Sequence, residues 1–179
     1  MKLFDLKSQY KKIDKNINRF INKFLLKNNF ILGEEVSKLE LKLSQITSSK
    51  FCITCGNGTD GLLISLMALN LNKNDEVMIP SFNYISALEV TVLLNLKPIF
   101  IDVDDDYNIS IKDIERKITK NTKCIIATSL FGRCCNYESL LSIKKKFKLK
   151  IIEDGSQSFG SSRHDYKSCS VFDLSVTSF

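Results

Sequence analysis

Apolar residues along the first thirty positions recur at helical spacing. Ile13, Ile17, Phe20, Ile21, Phe24 and Leu25 fall between lysines and asparagines, which predicts an amphipathic helix. Gly33 breaks the chain, and residues 34–46 predict a second helix with Val36, Leu39, Leu43 and Ile46 on one face. After that the period changes. Short apolar runs at 51–54, 76–79, 98–103, 123–129, 150–153 and 174–179 predict strands, with helices between them at 59–71, 85–94, 111–118 and 137–147. Strands alternating with helices of this length imply βαβ crossovers and a mainly parallel sheet. The strand runs are continuously apolar rather than alternating, as expected where helices cover both sheet faces. The chain carries no internal repeat, low-complexity tract or linker. It reads as one α/β domain, with helices over about 1–48 and a sheet region over about 49–179.

Composition narrows this little. Hydrophobic residues make up 44% and charged residues 26% of the 179, ordinary globular usage. The net charge of +6 raises the question of nucleic acid. Lys11, Lys12, Lys15, Lys38, Lys42, Lys144, Lys145 and Lys146 lie scattered along amphipathic helices, without interleaved aromatics or glycines. They read as solvated helix faces, and no nucleic-acid partner is expected. No apolar run approaches the roughly 20 residues that span a bilayer, and the opening residues lack the apolar core of a secretory signal. The expectation is a cytoplasmic protein without a membrane partner. Cys52-Ile53-Thr54-Cys55 has metal-ligand spacing, but no second pair follows at a zinc-site interval and His164 is the single histidine. Reduced thiols are expected instead, Cys52 and Cys124 inside apolar strands, with His164 in a surface turn.

In open parallel sheets, ligands bind outside the carboxyl ends of the strands. Three strand-to-helix turns therefore carry the candidate chemistry. Cys55-Gly56-Asn57-Gly58-Thr59-Asp60-Gly61 combines glycines, a hydroxyl and a helix N-terminus, a combination that suits a phosphate. It reads equally as an ordinary N-cap with Thr59 or Asp60 as the capping residue. Pro80-Ser81-Phe82-Asn83-Tyr84 places an aromatic where it could cover a flat ring or join the core. Ile151-Ile152-Glu153-Asp154-Gly155-Ser156-Gln157-Ser158-Phe159-Gly160 runs a buried strand into two acids. An ionised carboxylate there needs a partner. A protonated heterocyclic nitrogen would serve Asp154, with Gln157 reaching a ring substituent; helix capping or Mg²⁺ binding are the alternatives.

Taken in order, these segments resemble the DegT/StrS-type sugar aminotransferases, enzymes of the fold type I pyridoxal-phosphate class. Phe4-Asp5-Leu6-Lys7 and Ile31-Leu32-Gly33-Glu34-Glu35-Val36 are similar to the family's opening helix and its LG-x-EV turn. Asn57-Gly58-Thr59-Asp60-Gly61-Leu62 resembles its NGTDAL phosphate turn, and Asp75-Glu76-Val77 with Pro80-Ser81-Phe82-Asn83-Tyr84-Ile85-Ser86-Ala87 resembles GDEVI-x-P-x-FTYVAT. Lys97-Pro98-Ile99-Phe100-Ile101-Asp102-Val103, Leu130-Phe131-Gly132 and the segment around Asp154 complete the series. Gly155 stands for a common alanine, Arg133 for a common glutamine and Cys169 for a frequent glycine.

The resemblance implies a three-layer αβα fold, the large cofactor-binding domain, with pyridoxal 5'-phosphate as cofactor. Gly58, the Thr59 hydroxyl and the Asp60 amide would hold the phosphate, joined by Ser178. Tyr84 would stack on the pyridine ring, Asp154 would pair with its nitrogen, and Gln157 would contact its 3-hydroxyl. It implies transamination of a keto sugar carried on a nucleotide, closest to enzymes aminating C3, with glutamate as the usual amino donor and a homodimer as the working form. In the family a lysine that forms a Schiff base with the cofactor follows the last strand, four residues beyond Phe179 on this alignment, and a small C-terminal domain follows later. As it stands the chain is therefore expected to be an N-terminal fragment with negligible turnover and poor solubility. Its alternatives are a non-catalytic remnant and an unrelated Mg²⁺-dependent α/β module.

Overall fold

The computed structural model describes residues 5–179. Met1 to Phe4, including Phe4 of the expected opening motif, lie outside the described residues. Two helices come first, α1 (Leu6–Leu26) and α2 (Glu34–Thr47). Asp5 caps α1 by accepting the Ser8 amide at 3.2 Å. The α1 helix buries no residue, and its apolar stripe, Ile13, Phe20, Ile21 and Leu25, is exposed. Lys27 bridges to Glu34 and Glu35 at 3.3 and 3.0 Å, exposed pairs that add little stability.

The alternation begins with α3 (Gly58–Ala68), β1 (Glu76–Pro80), α4 (Ser86–Leu93) and β2 (Lys97–Ile101). It continues through α5 (Ile111–Lys117), β3 (Thr122–Thr128), α6 (Tyr137–Phe147) and β4 (Lys150–Asp154). A small hairpin, β5 (Ser162–Arg163) and β6 (Tyr166–Lys167), precedes β7 (Leu174–Val176). The main sheet has the order β2-β1-β3-β4-β7, with every pairing parallel. Successive residues of each strand face opposite helical layers. Val77, Ile79, Cys124, Ile126, Ile152 and Val176 pack with Leu62 and Leu66 of α3 and Ala87 and Val90 of α4. Met78, Ile125, Ala127 and Ile151 pack with Ile114 of α5 and Tyr137, Leu140 and Ile143 of α6. The result is the expected αβα sandwich. No helix among the described residues is long and apolar enough to cross a membrane.

One expected strand is not there. Residues 51–54 form no ladder, and Phe51 and Ile53 are exposed. A strand needs a neighbour for its amides, and among the described residues none lies beside this segment. The Thr54 amide and hydroxyl instead donate to Glu40 Oε1 at 2.8 and 2.9 Å, tying the segment to α2. Cys52 is half-buried rather than enclosed, whereas Cys124 is fully buried, and all six cysteines are free thiols. The β5–β6 hairpin was not expected from the pattern, since two-residue strands carry no period. His164 lies in its turn at φ 50°, exposed as anticipated.

Two buried carboxylates fasten the frame. Asp113 on α5 accepts the Asp102 amide at 2.9 Å just past β2, and pairs with Lys117 at 2.9 Å and with Arg116. The Lys117 ammonium and the Asp102 amide hold its pKa down at about 2. Glu153, fully buried on the α6 side of β4, meets only neutral donors. Tyr137 OH donates to it at 2.7 Å, Ser129 Oγ and Ser168 Oγ at 3.2 Å each, and the Cys169 amide at 3.0 Å. Burial without a cation pushes its pKa up, only partly opposed by those bonds. Through these donors Glu153 holds together the end of β3, the start of α6 and the turn that follows the hairpin.

Asp113→Asn should destabilise the protein by about 1–3 kcal/mol at neutral pH. Because the folded pKa is depressed, the wild-type advantage is present above the usual 3.8 and fades as pH falls towards about 2. Thermal midpoints of both proteins across that range read it directly. Glu153 has the opposite sign. Its folded pKa is raised, so its contribution is complete below the usual 4.5 and is lost as pH climbs through the folded value. Glu153→Gln should keep the hydrogen-bonded hub, since the hydroxyls can rotate, and should gain on the wild type as pH rises above the usual 4.5. Glu153→Leu should lose about 1–3 kcal/mol or more, because four donors then lack an acceptor. Equal pH profiles for wild type and Glu153→Gln would contradict the buried-carboxylate account.

Candidate functional site

The chain reverses direction across the sheet between β1 and β3. From β1 it steps outward to β2, then crosses back to β3 on the other side. Such a switch point leaves a crevice at the carboxyl ends of the strands. The three turns singled out in the sequence open onto this end: 55–61 precedes α3, 81–85 follows β1, and 155–160 follows β4.

Asn57 caps α3, its side chain accepting the Asp60 amide at 2.9 Å. The cap is thus neither Thr59 nor Asp60. It also engages the amide expected to serve a phosphate, leaving Gly58 and Thr59 as the first-turn donors without an intrahelical partner. Asp60 is drawn back onto the turn by Asn57 Nδ2 at 3.0 Å. The turn packs tightly against the end of the sheet. A Cβ added at Gly58 would lie 3.3 Å from Ser178 Cβ and 3.6 Å from Ser156 Oγ. One added at Gly61 would meet Val176 Cγ1 at 2.8 Å, so only glycine lets α3 approach β7 this closely.

Ser156 connects this turn to the acid. Its hydroxyl and amide both donate to Asp154 Oδ1, at 2.7 and 3.2 Å. Asp154 ends β4, 5% exposed, on the α3 side of the sheet and opposite to Glu153. Oδ2 accepts no hydrogen bond and no cation pairs with the carboxylate among the described residues. No group of three or more His, Cys, Asp or Glu side chains gathers for a metal ion among them either. A buried anion with an unused oxygen therefore lies within a few bonds of a helix N-terminus. This pairing can hold one small molecule that is cationic at one end and anionic at the other.

The remaining predicted residues stand on adjoining loops. Gln157 is exposed, and its Oε1 accepts the Phe131 amide at 3.0 Å, leaving its Nε2 hydrogens for a ligand. Tyr84 is 73% exposed, so its ring is not core. Phe82, Tyr107 and Phe131 form an aromatic rim with centroids 5.5 to 6.5 Å apart. The structure thus brings Gly58, Ser178 and Asp154 together through Ser156, while Tyr84 and Gln157 stand on the loops that follow β1 and β4. Sequence reasoning missed Asn57 and Ser156. Asn57, three residues before Asp60, had the spacing of a cap, and Ser156, two residues after Asp154, the spacing of a local side-chain bond.

The sequence profile of the DegT/DnrJ/EryC1/StrS aminotransferase family matches residues 11–179. A UDP-2-acetamido-2-deoxy-3-oxo-D-glucuronate aminotransferase of Pseudomonas aeruginosa is 39% identical over all of this chain and 50% of its own length. A dTDP-3-amino-3,6-dideoxy-alpha-D-galactopyranose transaminase of Aneurinibacillus thermoaerophilus is 34% identical over 98% of this chain and 48% of its own. The crystal structure of a family aminotransferase from Brucella abortus superposes with a TM-score of 0.95 at 33% identity, over 100% of this chain and 50% of that one. The chain spans about half the length of the curated relatives it matches. With the profile matched almost end to end and a solved fold overlaying the whole chain, this protein belongs to the DegT/DnrJ/EryC1/StrS aminotransferase family.

Proposed function

We propose that this chain forms the cofactor-binding half of a pyridoxal-phosphate-dependent transaminase that aminates a keto sugar carried on a nucleotide. The reading rests on one observation above the others: Asp154 is buried, ends a strand at the sheet's ligand-binding end, and keeps an oxygen without a donor or cation of its own. Such a carboxylate suits a ring nitrogen that carries a proton. The named activities of the relatives, both transaminations of nucleotide-linked sugars, favour the same substrate class. Glutamate as amino donor and a homodimeric working form are part of this proposal.

When bound, pyridoxal 5'-phosphate supplies an electron sink for the charge that develops as a neighbouring carbon loses its proton. Asp154 keeps the ring nitrogen protonated, which maintains that capacity. Ser156 fixes the orientation of Asp154 by holding Oδ1, so that Oδ2 is presented to the ligand. The Gly58 and Thr59 amides, the Thr59 hydroxyl and Ser178 grip the phosphate at the positive end of α3. The Asp60 amide joins them only by leaving Asn57. Tyr84 covers one face of the ring and excludes water, and Gln157 donates to the ring hydroxyl.

Equilibrium dialysis against pyridoxal 5'-phosphate tests the assignment. Asp154→Asn keeps the shape but removes the charge, and should weaken retention about tenfold to a hundredfold, the worth of a charge-assisted bond. Thr59→Val should weaken pyridoxal 5'-phosphate but leave pyridoxal, which lacks the phosphate, unaffected. Equal binding of the two compounds by the wild type would refute a phosphate cradle at α3, and an Asp154→Asn protein with undiminished binding would remove the nitrogen partner.

A further inference from the structure

The loop that carries Tyr84 has one side-chain tie to the sheet that no expected role accounts for. Asn83 Nδ2 donates to Thr128 Oγ1 at 2.8 Å, and Asn83 Oδ1 accepts the amide of Tyr84 itself, also at 2.8 Å. The carboxamide therefore uses both ends at once. It joins the last residue of β3 to the backbone of the exposed aromatic. Thr128 is 4% exposed and stands directly opposite Asp154 in the β3–β4 register. The bridge also spans β1 and β3, the two strands between which the sheet reverses. Tyr84 is otherwise 73% exposed on a loop. A ring so exposed has little packing to set its position, and an unrestrained loop would pay the ordering cost on each binding event.

We propose that Asn83 and Thr128 are positioning residues, a two-bond strut that sets Tyr84 at the level of Asp154 so that a flat, positively charged ring held by the carboxylate is met by the aromatic. This rests on the reading of the site as a pyridoxal 5'-phosphate cradle. The fork is needed because one group must donate to a threonine hydroxyl while accepting a backbone amide. Asparagine does both within one short side chain.

The test is a double-mutant cycle read by equilibrium dialysis with pyridoxal 5'-phosphate, with circular dichroism and thermal midpoints reporting on folding. Asn83→Leu removes both bonds of the strut and Thr128→Val removes the far one, each with the branching of the side chain kept. Each should weaken binding about threefold to tenfold, the worth of one or two neutral hydrogen bonds. In a Tyr84→Ala background neither should cost anything further, because the strut acts through Tyr84. Inorganic phosphate, used as a competitor, should bind all of these variants alike. Full loss from Asn83→Leu in the Tyr84→Ala background, or no loss in the parent, would overturn the strut. Tyr84→Ala binding as well as the parent would remove the stacking role and the strut with it, whereas failure of Asp154→Asn to weaken binding would strike the parent reading alone.

Discussion

Two carboxylates at consecutive positions must both be withdrawn from water where β4 ends, and the pleat sends them to opposite faces of the sheet. Much of the site's construction answers that constraint. Desolvating an anion is costly unless donors or a cation replace its water. On the α6 face, Glu153 recruits four neutral donors from three separate segments, and its raised pKa records that they offset burial only in part. On the α3 face, Asp154 receives two bonds from Ser156 on one oxygen and none on the other. One acid is satisfied by the protein. The other keeps one oxygen without a donor among the described residues, the oxygen proposed above to meet a ligand.

The division of labour explains how the site stays rigid without being closed. Glu153 ties the Ser129 end of β3, Tyr137 of α6 and the Ser168–Cys169 segment into one unit, so the backbone that presents Asp154 cannot drift. Ser129 in turn accepts the Cys135 amide at 3.1 Å, which extends the tie into the loop before α6. On the other face, glycines at 58 and 61 let α3 settle against β7 and Ser178, setting its positive end near the unused oxygen. A cation-seeking carboxylate and an anion-seeking helix end are thereby held at a fixed spacing. A rigid ligand of matching polarity binds such a pair without first ordering it.

Family membership follows from the match along the chain, and the site supplies the physical reason that such a match has chemical content. A resemblance in motif order says that turns should be phosphate- or ring-binding. It does not say that Ser156 would bridge two of them, or that the amide of Asp60 would already be engaged by its own cap. Under the proposed reading, those features would determine which donors a phosphate reaches and which oxygen a ring nitrogen meets.

Much of the architecture was legible in local pattern. The helical spacing of Leu62 and Leu66, the apolar runs around Ile125 and Ile151, and the glycines before α3 are read within a few residues of one another, so the layers and the carboxyl-end turns could be placed from sequence. Most of the failures are nonlocal; the Asn57 cap, the Ser156 bond to Asp154 and the short β5–β6 hairpin are the local ones. Residues 51–54 have a strand's composition but no neighbour among the described residues, and a ladder is a property of two segments. The register that puts Thr128 beside Asp154, the donors gathered on Glu153, and the approach of Ser178 to Gly58 join residues from 15 to 120 positions apart in the chain. The sequence by itself determined the helices and the strands of the main sheet, and which turns carry polar chemistry, because those depend on period and on the residue types at a turn. Tertiary structure alone decided which of the two acids is satisfied, since that depends on what the opposite faces of a sheet happen to meet.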